Sequence, residues 1–191
     1  MFDNHLEAFP HAYAVTLLEE VPTTELLTWY FPGASTKGGR DGIRLLIRPE
    51  SETPWIGVFA GQGGLTAISS TDDKRKLLVV ARGSVFLVDS GEPRTTLYLS
   101  TLFPISAVRP VTDRGLILLP DLTKIAAVNA SGILWVTERI SFDGISITSV
   151  KGEYIEGEAW DPTSRNRPTF RVNIKTGKHE GGSSPEQYRA R

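Results

Sequence analysis

Ala126-Ala127-Val128-Asn129-Ala130-Ser131-Gly132-Ile133-Leu134-Trp135 reads as a strand, a tight turn and a second strand within ten residues. Small and β-branched residues fill the first arm. Asn129 can bond its own downstream backbone, and Gly132 can take the positive φ that a turn needs. The same grammar occurs upstream as Val88-Asp89-Ser90-Gly91 and downstream as Val172-Asn173-Ile174-Lys175-Thr176-Gly177. Each turn closes a third strand, at Ser84 to Val88, Lys124 to Val128 and Thr169 to Ile174. Second strands are expected at Lys76 to Ala81, Gly115 to Leu119 and Glu153 to Trp160. First strands begin at Leu65, Ile105 and Ile145, forty residues apart. Fourth strands are expected at Thr95 to Leu99 and Ile133 to Thr137; the third copy, Lys178 to Gly182, is poor strand material.

Four short strands at a fixed period near forty are the pattern of a β-propeller blade. The fold class expected is therefore all-β, with antiparallel propeller-like blades. Three full units cover 65–103, 104–142 and 144–182. The third-strand turn resembles the quinoprotein (PQQ-like) propeller repeat, which places Asp, then Thr-Gly, then Trp at the blade end. The copy ending in Trp135 has Asn129 for the Asp and Ser131 for the Thr. The copy at Asn173 keeps Thr176-Gly177, and the copy at Asp89 lacks the Trp. The resemblance spans residues 65–182 and implies blade architecture. Large catalytic rings of that type need many more blades than 191 residues supply. An open fan or a four-bladed ring is the expectation, and a sandwich or open barrel shares the same spacing.

Residues 1–64 read differently. Ala12 to Leu18, Ile43 to Arg48 and Trp55 to Ala60 are strand-like and form a degenerate first unit. Pro22 to Tyr30 reads as a short helix, capped by Thr23 or Thr24 and stopped by Phe31-Pro32-Gly33. Ser183 to Arg191 reads as a flexible tail. Residues 1–182 are thus expected to form a single β-rich domain.

Composition narrows the function. Hydrophobic residues make up 40% and charged residues 23% of the chain, which suits a packed globular protein. The net charge of −1 offers no global field for nucleic acid or an anionic membrane. The absence of cysteine excludes disulfides, thiolate metal sites and cysteine nucleophiles. No apolar run is long enough to span a bilayer as a helix, and the first residues lack a signal-peptide layout. A cytoplasmic location is expected, with no membrane and no nucleic-acid partner.

Catalytic signatures are missing. His5, Glu7 and His11 lie close together but fit no metal-ligand spacing. Gly61-Gln62-Gly63-Gly64 precedes a β run rather than a helix, so it reads as a turn and not a phosphate loop. No serine elbow occurs. No cofactor and no metal are expected.

Two groups of residues stand out as binding candidates. Arg165, Arg167 and Arg171 lie near Trp160, Asp161 and Phe170, in and beside the long loop 161–168; arginine beside aromatics suits recognition. Trp29 and Trp55, with Tyr30, Phe31 and Phe59, concentrate aromatics in the first third, and an exposed set would anchor an interface. These features favour a non-catalytic protein-binding module, of the inhibitor or immunity-like kind. The rival is a small-molecule-binding, carbohydrate-binding or hydrolytic protein with a central pocket. Glu156, Glu158 and Trp160 alternate along one strand and so share a face; two acids and an indole suit a sugar site. A half-solvated strand produces the same alternation.

Overall fold

A computed structural model describes residues 2–20, 25–163 and 167–183. Two compact units divide at Ile105 and Ser106. Every regular element among the described residues is a strand or a single 3-10 turn, so the chain is all-β.

The first unit holds β1 (Phe2–His5), β2 (Tyr13–Leu18), β3 (Thr28–Phe31), β4 (Ile43–Pro49), β5 (Trp55–Phe59), β6 (Thr66–Ser70), β7 (Lys76–Ala81), β8 (Ser84–Asp89) and β9 (Leu97–Tyr98). They form two sheets, ordered β2-β4-β5-β3 and β1-β6-β7-β8-β9. The expected amino-terminal helix is corrected here. Its start, residues 22–24, lies outside the described residues, but Thr28–Phe31 is a strand running parallel to β5. Trp29 and Phe31 point into the core while Thr28 and Tyr30 are half-buried, a period of two and not 3.6.

The two sheets share one core. Phe31 stacks on Phe59 with centroids 4.8 Å apart, and Phe59 meets Phe86 at 5.3 Å. Residues 77–81 of β7 have no exposed surface at all, whichever face they point to. That double-sided burial explains why β7 and β8 read as continuous apolar runs.

The second unit holds β10 (Arg109–Val111), β11 (Leu116–Pro120), β12 (Ile125–Asn129), β13 (Gly132–Val136), β14 (Ile145–Lys151), β15 (Tyr154–Ala159), β16 (Thr169–Asn173) and β17 (His179–Gly181). Its two sheets, β10-β11-β12-β13 and β14-β15-β16-β17, are antiparallel meanders in chain order. They share a core around Leu118, Ile125, Ile155, Phe170 and Val172. Residues 105–108 are not a strand: Ser106 makes one backbone bond to Pro120, but regular pairing with β11 begins at Arg109.

The repeated turns have the expected chemistry. Asp89 accepts the amides of Gly91 and Glu92, Asn129 that of Ser131, and Asn173 those of Lys175 and Thr176. Gly132 and Gly177 have φ of 122° and 71°. Gly91 does not take a positive φ, and a Cβ there would meet only the movable ends of the Arg75 and Glu52 side chains. A second repeat lies forty residues apart at Asp121 and Asp161. Each carboxylate accepts both the amide and the hydroxyl of the Thr two residues on. Trp indoles join neighbouring sheets in both units: Trp55 donates to the Ser90 carbonyl at 2.7 Å, and Trp135 to that of Ile174 at 2.9 Å.

Tyr13 carries a pH prediction. It is 5% exposed and donates its hydroxyl to the Lys76 carbonyl at 3.0 Å. Burial, reinforced by the Asp73 carboxylate, pushes its phenol far above the ordinary value. The folded state therefore keeps the proton that the unfolded chain releases near pH 10. This contribution is intact below about pH 10 and is lost as pH rises further, at up to about 1.4 kcal/mol per pH unit. Urea unfolding between about pH 9 and pH 12 should show a steeper loss for the wild type than for Tyr13→Phe. Parallel curves would show that Tyr13 is not the group responsible.

Candidate functional site

Strand alternation gives the β14–β17 sheet two unlike faces. Ile155 and Ala159 of β15 and Phe170 and Val172 of β16 point into the core. The residues between them, Glu156, Glu158, Thr169 and Arg171, point the other way. A bulge between Ile147 and Ser149 adds Thr148, whose hydroxyl donates to the Glu156 carbonyl at 3.2 Å. Glu180 of β17 lies in register with Arg171. These six residues line an open groove of about 450 Å³.

The charges of the groove are laid out along the strands. Arg171 Nε lies 3.8 Å from the Glu156 carboxylate, and its guanidinium covers the Tyr154 ring at 3.5 Å. Ser149 donates to the other Glu156 oxygen at 3.3 Å. The side chains of Glu156 and Arg171 are 51% and 50% exposed. At that exposure the ion pair contributes about 0–1 kcal/mol, so both groups are available for recognition at small cost to the fold. At one end of the sheet, the Lys175 ammonium bonds Glu153 and holds its carboxyl below the ordinary range.

The loop after β15 separates the remaining candidates. Trp160 continues the outward alternation and is 39% exposed, while its amide bonds the Gly144 carbonyl and the Ser141 hydroxyl. Arg167 is exposed. Arg165 lies outside the described residues. Asp161 turns inward: it is 9% exposed and ties the loop together through Thr163 and the Ser183 hydroxyl, the latter at 2.7 Å. Its partners make it a loop-closing residue, the counterpart of Asp121. Ser183, expected to open a flexible tail, is buried, and its amide is fixed to the Ile140 carbonyl.

The aromatic candidates of the first unit do not form a surface. Trp29 and Trp55 are 7% and 3% exposed and belong to the shared core. Both sit on inward positions of strands, where the largest apolar areas are removed from water. Glu180 is the charged contributor that sequence reasoning missed, beside Thr148 and Thr169. Its strand has little β propensity, and only the register with β16 places it beside Arg171.

Glu156 and Glu158 form no desolvated floor, as acid–base hydrolysis would require. Among the described residues, no three His, Asp or Glu side chains cluster to hold a metal. No helix among the described residues is long and apolar enough to cross a membrane. No protein-family model matches the chain, and no curated protein matches it either.

Proposed function

We propose that the chain is a non-catalytic protein-binding module of the inhibitor or immunity-like kind, and that it contacts its partner through the outer face of the β14–β17 sheet. The observation that carries this reading is the exposure of Glu156, Arg171 and Glu180, with the half-buried Glu158, on one rigid sheet face and Trp160 beside them. Charged residues on such a face give specificity and steer encounter, and an exposed indole supplies an anchor. The opposite face belongs to a core, so the presenting strands are held in place before binding. The four sheets are read as propeller-like blades. The forty-residue pitch of the Asp121 and Asp161 turns and the paired Trp indoles support that reading.

Charge reversal tests the surface. The wild-type chain and a Glu156→Lys, Glu158→Lys variant are used as bait in cell lysate, and captured proteins are quantified by mass spectrometry. Any partner specific to the wild type should fall by roughly tenfold in the variant, which is the cost of about 1.4 kcal/mol. Trp160→Ala should act in the same direction. Surface changes of this kind move stability by only about 0.5 kcal/mol, so melting curves should coincide. Equal recovery by all three baits would refute the assignment of this face.

A further inference from the structure

We infer that the outer edge of β17 is an interface between two copies of this chain, which pair antiparallel about a two-fold axis at His179.

The ladder fixes which backbone groups are free. Asn173 donates to the Lys178 carbonyl at 2.8 Å, and Gly182 donates to the Thr169 carbonyl at 2.8 Å. Between them Arg171 and Glu180 stand opposite each other. The backbone of Lys178, Glu180 and Gly182 thus faces β16. In planar trans peptides the N–H and C=O of His179 and Gly181 then face away from the sheet. Neither residue makes a backbone hydrogen bond on that side among the described residues. Lys178, Glu180 and Gly181 are exposed, so a second strand can approach.

The charges on this edge select a second copy. Lys178 and Glu180 are two positions apart on a strand and so lie on the same side, the outer face. Neither makes an ion pair or a side-chain hydrogen bond among the described residues. A lone lysine blunts a sheet edge, but lysine and glutamate spaced in this way make the edge complementary to itself. Antiparallel pairing centred on His179 puts each Lys178 opposite the Glu180 of the other copy. His179 exchanges both backbone bonds with its counterpart, and the charged pairs take the flanking positions where side chains stand closer. The pattern already in the sheet continues across the axis. Glu156, Arg171 and Glu180 are cross-strand neighbours of alternating sign, and Lys178 of the second copy supplies the next charge. Two four-stranded sheets would thus join into one, with a single continuous outer face. Gly181 and Gly182, at φ of 73° and 82°, end the strand soon after Glu180. So short an edge buries little area, and the dimer is a weak one that forms with rising concentration.

Sedimentation velocity of the full chain between about 1 μM and 1 mM, at low salt, tests this. The wild type should pass from monomer to dimer within that range. Lys178→Glu places like charges opposite each other in both pairs and should weaken association by at least tenfold; Lys178 faces the uncharged Asn173 within its own sheet, so melting should be unchanged. Lys178→Glu combined with Glu180→Lys restores both pairs and should recover association to within about threefold of the wild type, a rescue that misfolding cannot imitate. His179→Pro removes the amide that crosses the axis without touching the bonds to β16, and should abolish the dimer. The Glu156→Lys, Glu158→Lys variant should still dimerise, so this interface is tested apart from the partner-binding face. A monomer throughout the range, a double reversal as weak as Lys178→Glu alone, or a His179→Pro variant that associates like the wild type would overturn the inference.

Discussion

Replacing Phe59 by Ala should cost about 3–5 kcal/mol, a large part of the roughly 5–15 kcal/mol that holds an ordinary domain together. Phe59 has no exposed surface. Its ring stacks on Phe31 at an interplanar angle of 11°, meets Phe86, and lies over Gly57 of its own strand. Phe31 belongs to β3 and Phe86 to β8, so one side chain joins both sheets of the first unit. Truncation would leave a cavity that neighbouring rings, already fixed by their own contacts, cannot collapse to fill. Urea unfolding followed by tryptophan fluorescence is a suitable measurement, because Trp29 and Trp55 lie in the same core. Leu134→Ala is the control: Leu134 is 49% exposed, and its loss should change stability by no more than about 0.5 kcal/mol. Similar midpoints for the two variants would show that the aromatic cluster is not what holds the unit together.

The same cluster shows where a sequence stops being informative. Strands β6 to β8 and β11 to β16 are legible because alternation, apolar runs and Asx-type turns agree with one another, and local signals that agree are the readable ones. Thr28–Phe31 is where they disagree. Proline and threonines ahead of it imitate a helix start, and a stretch of four residues is too short for its period to decide. What makes it a strand is parallel pairing with Trp55–Phe59, a contact between segments distant in sequence that no local pattern encodes. Trp29 and Trp55 were ambiguous for the same reason, since composition marks an aromatic as large and apolar but not as buried. The β1–β6 pairing, also parallel, was equally invisible. On the candidate face, Glu156 and Glu158 were legible as a pair on one side of a strand, because that follows from alternation alone. Their neighbours Arg171 and Glu180 come from other strands, and only the register brings them together.

Gly157→Ala should place a strongly damaging single methyl group in the second unit. Gly157 occupies an inward position of β15, where a Cβ would run into the Ser146 carbonyl oxygen and the Phe170 ring. Its backbone is not in the left-handed region, so the obstacle is space and not torsional strain. Phe170 could swing away, since it is a side chain. The Ser146 carbonyl cannot, because β14 is held in the ladder with β15 on both sides of that point. Overpacking of this kind costs about 1–3 kcal/mol, and the immovable oxygen places Gly157→Ala at the upper end. A double-mutant cycle separates the two contacts. Phe170→Leu relieves the ring contact, so Gly157→Ala should cost less in that background than in the wild type, by about 0.5 kcal/mol or more. The carbonyl contact should persist, leaving a residual penalty. Strict additivity would mean that the ring does not press on the site at all. A displaced β15 also moves Glu156 and Glu158, which flank the substitution, so capture of a partner should fall alongside stability. Loss of stability with full partner capture would separate the binding face from this sheet, and would send the search for it to the other unit.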